Sequence, residues 1–363
     1  MTNDSDRYLG SFSTIVIGAG PAGVMAALEA ASAGPVLLAE RTALPRNKSC
    51  GGMINEYAQR FLSEYGGVPS RLVLDPAHVN FRYVDWDRHI EKPTTLRFVN
   101  VDRAGFDDWL MSLLPDNVTI VDRHDLESLG ERDGRVYASF KTPSGTTLAE
   151  AEHLVGCDGA RSKTRRLLGV PGNATYVTLQ DFVRYDGGLE PYFDCIYMRD
   201  IGDEFGYAYV MPKGDRAIVG SVYYPKTKRP WEKQDLVMNR LRERLPALGK
   251  TIEREASVAL YVRSSKDVVA GRGRILLAGE AGGFMSPSSG EGISYALNSG
   301  RQAGLAIAAK PDAALESYSA AIAPILANIR HKLWWLPIME SRAGKYLAGY
   351  VPTAIVSKMT ERL

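Results

Sequence analysis

Two hydrophobic patterns alternate along this chain, and the points where one gives way to the other outline its architecture. In FSTIVIGAGPAGVMAALEAASAGPVLLAE, Ser13 to Ile17 form a short apolar run rich in β-branched residues, which predicts a buried parallel strand. The Ala-rich stretch from Pro21 to Ala33 predicts a helix, and Pro35 to Glu40 a second buried strand. Between about residue 70 and residue 155 the pattern changes to period two, in HVNFRYVD, VTIVD and RVYASFKT, with turns at Asp133-Gly134 and Ser144-Gly145. HLVGCDGA reads as another buried strand that carries Cys157. Residues 176–265 alternate again: FGYAYVMP and RAIVGSVYYP predict two antiparallel strands around Lys213-Gly214-Asp215. WEKQDLVMNRLRERLPAL predicts an amphipathic helix. A buried strand returns at Ile275 to Ala278, and the rest of the chain is helical, beginning with GISYALNSGRQAGLAIAA.

This order predicts an α/β fold. A Rossmann-like nucleotide-binding domain (1–75, 100–175 and 268–310) is interleaved with a β-rich substrate domain (76–99 and 176–267). A helical C-terminal segment, 311–363, follows. The length of 363 residues fits about two domains. With 45% hydrophobic residues the chain has the apolar mass to fold, which excludes a disordered protein.

Charge and cysteine usage narrow the function. The 44 Lys+Arg and 42 Asp+Glu leave a net charge of +2, which gives no support for a nucleic-acid partner. Cys50, Cys157 and Cys195 are far apart and odd in number, so they form neither a disulfide framework nor a C-x-x-C metal site. A reducing, cytoplasmic compartment and no metal are expected. The first residues carry no apolar signal region, and no apolar run approaches the length of a membrane span.

The first chemical motif is G-x-G-x-x-G. Gly18 serves the tight turn, Gly20 the approach of a pyrophosphate, and Gly23 the close packing of helix on strand. The helix N-terminus offers free N–H groups to phosphates. Glu40, 22 positions after Gly18, is placed to accept ribose hydroxyls. The second motif is RILLAGEAGGFMSPSSGEGISYALNSG, where Glu280 at a strand end suits a ribityl hydroxyl. A helix starting near Gly292–Ile293 can place N–H groups against the negative edge of a reduced isoalloxazine; otherwise the stretch is a second βα turn without ligand contact.

On these motifs the chain resembles FAD-dependent oxidoreductases of the p-hydroxybenzoate hydroxylase superfamily. It has Gly18–Gly23, then Asp158-Gly159-Ala160-Arg161-Ser162, then Gly279-Glu280 with Pro287, Glu standing where Asp is usual. Within that group it is similar to geranylgeranyl reductases. The shared features are Cys50-Gly51-Gly52, Arg103-Ala104-Gly105-Phe106-Asp107, the loop Phe284–Ile293 and, loosely, Tyr207–Pro212. The distal Gly-Glu-Ala-Gly stretch, Cys195 and the short length resemble the CbrA-type flavoproteins.

The resemblance implies FAD as cofactor. Gly18, Gly20, Ala22, Gly23, Glu40, Arg41 and Asp158 would surround its ADP half, with Leu126 touching the adenine side through its backbone. Arg103, Gly279 and Glu280 would reach the phosphates, flavin or ribityl chain. Cys50, Gly51, Gly52, Pro287, Gly290, Gly292 and Ile293 would line the isoalloxazine. No second G-x-G-x-x-G exists, so electrons come either from transiently bound NAD(P)H or from a ferredoxin-type protein.

Several readings stay open from sequence alone. Cys50 is either a proton donor beside the flavin or a small packing thiol. Tyr192, Phe193, Tyr197, Tyr207 and Tyr209 either wall an apolar pocket, with Tyr207 and Tyr209 near the chemistry, or pair within the core. Cys157 and Cys195 read as core residues. The C-terminal segment carries Trp334, Trp335, Leu336, Ile338 and Met339 among Arg330, Lys332, Arg342, Lys345, Lys358 and Arg362, opposed by Glu340 and Glu361. It either lies on an anionic membrane surface or packs on its own domain. The expected activity is reduction of a carbon–carbon double bond in an apolar, prenyl-type small molecule. The alternatives are a monooxygenase acting on a small molecule or protein side chain, and a flavin-binding protein without turnover.

Overall fold

The computed structural model describes residues 7–352 apart from 186 and 349, and organises them around two eight-stranded sheets. Five parallel strands form the centre of the first, in the order Ile275–Leu277, Gly145–Gly156, Arg7–Ile17, Val36–Ala39, Val118–Val121. Gly271–Arg272 extends one edge, and Asp125–Arg132 with Arg135–Thr142 form a hairpin that pairs with the first half of Gly145–Gly156. The first strand begins at Arg7, six residues before the buried run at Ser13. Residues 7–12 are half exposed and follow the partner strand through a bulge between Tyr8 and Gly10, so no continuous apolar run marks them. Cys157 lies one residue past the strand Gly145–Gly156 and is buried.

Helices Pro21–Ala30 and Ile293–Ala309 cover one face of this sheet. They touch through glycine: a Cβ on Gly300 would lie 2.1 Å from the Ala22 carbonyl oxygen, and one on Gly304 would lie 2.5 Å from that of Ala26. Gly→Ala in an exposed helix gains up to about 1 kcal/mol. Here Gly300→Ala is expected to destabilise by about 1–3 kcal/mol, the usual cost of overpacking, and urea unfolding checks the sign. On the other face the hairpin packs Leu126, Val136 and Phe140 over Ile15, Ile17 and Leu37.

The second sheet runs Leu248–Leu260, Thr175–Tyr185, Arg216–Tyr223, Phe205–Lys213, Tyr192–Tyr197, Val73–Asp85, Ile90–Val101, Met53–Ile54. Helix Pro230–Arg244 covers one face through Val237, Met238 and Leu241. It stops at Arg244 because the next residue precedes Pro246, where helical backbone is disfavoured. Leu248 already begins a strand.

The opposite face carries Phe182, Phe193, Cys195, Tyr207, Tyr209 and Met211. Strand alternation excludes Tyr192 from it, a correction to the expected aromatic wall. Tyr192 is a neighbour of Phe193, so it points to the other side, where the Arg82 guanidinium stacks on its ring at 4.4 Å.

Helix Ala323–Glu340 turns Ile325, Asn328, Ile329, Lys332 and Leu336 inward, while Trp334 stays 70% exposed and Ile338 56%. The basic residues that a membrane-lying helix would turn to one side are therefore divided. Arg330 is exposed, but Lys332 is buried and Lys345 sends Nζ toward the Phe205 carbonyl oxygen at 3.4 Å. Lys358, Glu361 and Arg362 lie outside the described residues, as does the Arg342 side chain. Among the described residues no helix is long and apolar enough to cross a membrane.

Candidate active site

The carboxyl ends of the parallel strands gather the glycine and acid motifs on one edge of the sheet, where open α/β folds bind ligands. Gly18, with φ +99°, makes the tight turn; a Cβ there would sit 2.6 Å from the Cys157 carbonyl oxygen. A Cβ on Gly23 would lie 1.8 Å from the Gly18 carbonyl oxygen, so Gly23 seats the helix on its strand. Gly20 is different. Its φ is −82°, and a Cβ there meets only the Arg46 guanidinium, at 2.9 Å. The helix it caps has no side-chain cap on its first N–H groups. An uncapped helix N-terminus and a facing guanidinium supply the donors a pyrophosphate needs, and the bare Cα leaves it room to approach.

Glu40 is 6% exposed. Its carboxylate accepts from the Ala19 N–H at 3.0 Å, the Thr42 N–H at 3.1 Å and the Thr42 hydroxyl at 2.8 Å. The loop before the hairpin closes beside it, with the His124 N–H donating to the Glu40 carbonyl at 2.8 Å. Leu126 follows in that hairpin, its side chain buried in the core and its backbone paired with Phe140. Arg41 is exposed at the strand end. Ala22 is buried beneath Gly279, whose φ of +55° and absent Cβ allow the approach. The Asp158 carboxylate accepts from the Ser162 hydroxyl and from the N–H groups of Lys163 and Thr164, capping helix Lys163–Leu167.

Two groups of buried or half-buried ion pairs lie near these motifs. Arg103, at the start of helix Arg103–Met111, bonds Asp107 through Nε at 2.9 Å, and Arg46 reaches the other Asp107 oxygen at 2.6 Å. Lys48 pairs with Glu280 at 2.8 Å, and the second Glu280 oxygen accepts from the Leu260 N–H at 3.3 Å.

Cys50 sits where these cations meet the second sheet. Burial pushes its thiol up, but the Arg103 guanidinium, the Gly52 N–H at 3.4 Å from Sγ and the Lys48 charge outweigh that and hold it below its ordinary value. Lys213 pins the loop: its ammonium donates to the carbonyls of Gly51 at 2.7 Å and Val101 at 2.5 Å and to the Asn100 side chain at 2.8 Å. Burial brings Lys213 down to about 8, partly opposed by Cys50. Ser49 donates to Gln180, and Gln180 donates to the Tyr209 hydroxyl, which links the loop to the aromatic face. Burial raises both Tyr207 and Tyr209, so their hydroxyls stay protonated. Cys195, on the same face, is pushed up to about 12 by burial and Asp194. A cleft of about 350 Å³ reaches Cys50 from outside, lined among others by Lys48, Arg103, Phe182 and Lys213. A thiolate forms on Cys50 more readily than on an unperturbed cysteine, so its alkylation by iodoacetamide is expected to have a midpoint below the ordinary ~8.5. Arg103→Met is expected to move that midpoint up.

The distal loop closes the site. After the short helix Gly279–Gly282, Phe284 to Pro287 are buried, Gly290 turns at φ +67°, and Gly292 leads into helix Ile293–Ala309. Glu291 caps this helix, accepting from the Ser294 N–H at 2.8 Å and hydroxyl at 2.6 Å.

Four residues of this neighbourhood make site contacts that the sequence reading does not assign: Arg46, Lys48, Lys213 and Lys332. Arg46 and Lys48 carried a signal, two cations just ahead of Cys50-Gly51-Gly52. Lys213 and Lys332 carried none, because their partners lie more than thirty residues away.

Residues 11–330 match the FAD binding domain family, and the chain belongs to it. It is thus a member of a family of FAD-dependent oxidoreductases and monooxygenases, and FAD is the cofactor the site takes. The chain is 29% identical to protein CbrA of Escherichia coli K12 over 299 residues, 79% of this chain and 82% of that one. Its fold matches a geranylgeranyl bacteriochlorophyll reductase-like protein from Thermoplasma acidophilum, with TM-score 0.78 and 19% identity over 97% of this chain and 91% of that one. It also matches the anhydrotetracycline hydroxylase OxyS of Streptomyces rimosus, with TM-score 0.67 and 19% identity over 97% and 75%.

Proposed function

We propose that this protein reduces a carbon–carbon double bond in an apolar, prenyl-type small molecule, and that Cys50 donates the proton. The observation that carries the reading is a thiol held below its ordinary value by Arg103 at the junction of the nucleotide edge and an aromatic sheet face. When bound and reduced, FAD supplies the hydride equivalent. Gly18, Gly20, Gly23, Glu40 and Arg46 would hold its ADP half, and Glu280 and the loop Ser286–Ile293 its flavin half.

The chain's own residues supply the rest. A thiol held below its ordinary value is a better acid than an unperturbed one. Lys213 holds the carbonyls of Gly51 and Gly52 and so fixes where Cys50 Sγ stands. Phe193, Tyr207 and Tyr209 form an apolar wall against which an apolar substrate can lie. The cleft beside Lys48 and Arg103 gives water a path to return a proton to Cys50. The electron donor in this reading is NAD(P)H or a ferredoxin-type protein.

The test mixes photoreduced protein with a panel of polyprenyl lipids without oxygen. Saturated product by mass spectrometry is the expected result. No anaerobic flavin reoxidation, together with product gaining one oxygen atom in air, assigns a monooxygenase instead.

A further inference from the structure

Beneath the distal loop lies a buried polar cluster that the reading above does not use. Lys332, on helix Ala323–Glu340, is 5% exposed. Its ammonium lies 3.1 Å from the Tyr295 hydroxyl and 3.3 Å from the Ser286 hydroxyl. Ser286 ties the loop closed: its N–H donates to the Glu291 carbonyl at 2.9 Å, its carbonyl accepts from the Gly290 N–H at 3.1 Å, and its hydroxyl accepts from Ser289 at 2.8 Å. Asn328, one turn before Lys332, accepts from the Tyr295 hydroxyl. Asn328 Nδ2 is a buried donor without a protein acceptor among the described residues. The cluster is rich in donors and holds one cation.

The titratable groups around it are few. Glu291 comes from the loop, Tyr295 from helix Ile293–Ala309, and Tyr57 from helix Glu56–Ser63 through its influence on Tyr295. Burial raises Glu291 and Tyr295 and brings Lys332 down to about 8, an effect Glu291 partly opposes. The loop therefore places a carboxylate at the very helix terminus whose positive end would face the flavin. Taken alone, that carboxylate cancels the helix dipole.

We infer that Lys332 is a positioning and counter-charge residue: it pins Ser286 and offsets Glu291, so that the loop presents net positive potential to the flavin edge that gains charge on reduction. This inference rests on the placement of the flavin against loop Ser286–Ile293. Two electrons and one proton convert oxidised FAD to a form with one negative charge on its N1 edge, the electrons coming from dithionite in the experiment. A cation in a buried, low-dielectric setting favours that form over the oxidised one.

The experiment measures the relative binding of reduced and oxidised FAD from the flavin midpoint potential, by equilibration with a reference dye under dithionite. In Lys332→Met the reduced form is expected to lose roughly tenfold in affinity relative to the oxidised form, within the usual range of a site-to-site coupling. In the parent protein the same ratio is expected to fall as pH rises through about 8, because Lys332 then loses its proton. Lys332→Arg, which stays charged, is expected to keep the ratio and to flatten the fall, leaving only the part that Lys213 on the Cys50 loop contributes. Lys332→Met combined with Glu291→Gln is expected to recover much of the loss, which a purely structural role would not do. An unchanged ratio in Lys332→Met that still binds FAD overturns the inference. If Lys332→Met does not fold, a fall with pH in Lys332→Arg as large as in the parent protein overturns it. Failure of the parent protein to bind FAD at all is a different result, and it removes the flavin placement itself.

Discussion

Gly20→Val is expected to yield a folded, colourless protein. The two neighbouring glycines make the comparison. At Gly23 an added Cβ would lie 1.8 Å from a backbone oxygen, and at Gly18 2.6 Å from another, so side chains there break the turn and the helix–strand contact. Gly20 has an ordinary φ of −82°, and the sole neighbour of its added Cβ is the end of a flexible arginine side chain. Valine at position 20 can therefore be accommodated by a shift of Arg46, while its bulk occupies the space over the helix N-terminus that the pyrophosphate needs. FAD content by absorbance and fold by circular dichroism are measured together. Gly23→Val is expected to lose both fold and flavin, whereas Gly20→Val loses the flavin alone. A Gly20→Val protein that stays yellow would remove the pyrophosphate from this helix.

Cys50→Ala is expected to keep FAD and lose turnover by about 10²–10⁴-fold, the usual contribution of a positioned acid. The substitution costs little in packing, because Cys50 is only half-buried. Stability should change by about 1 kcal/mol. The sign of the pH effect follows from the cations. Arg103 and Lys48 hold the thiol below its ordinary value, so the protonated acid is lost as pH rises through that lowered value, and turnover should fall on the alkaline side. Cys50→Ala should remove this limb along with the rate. Single-turnover reoxidation of the reduced flavin by substrate reads the chemical step directly. Full turnover in Cys50→Ala would leave Cys50 as a packing residue and return the proton donor to the search, with Tyr209 next on the same face.

Local signals carried much of this protein into view. Gly18, Gly20, Gly23 and Glu40 fall within 23 residues, and their purpose follows from steric and dipole arguments that need only a strand, a turn and a helix. The same holds for Gly279, Glu280 and the helix at Ile293. Alternation over FGYAYVMP and RAIVGSVYYP made a sheet legible, since period two is written in the sequence itself. Asp158 shows the limit of such signals, because a motif names a residue without saying what its carboxylate already holds. Three local donors take that carboxylate as a helix cap.

What only the tertiary structure decided is the charge environment of the reacting end. Cys50 and Arg103 are 53 positions apart, and Lys213 meets the Gly51 carbonyl across 162 positions. Lys332 reads in sequence as one of several cations on a Trp-bearing terminal helix, yet packing turns it inward against Ser286, 46 residues earlier. Burial and the distance to an opposite charge set a pKa, and both arise from contacts between segments remote along the chain. Periodicity and motif spacing report only neighbours along the chain. They therefore disclosed the cofactor edge and the aromatic strand, while the tuning of Cys50 and the counter-charge under the distal loop came into being when the two sheets and the last long helix closed on one another.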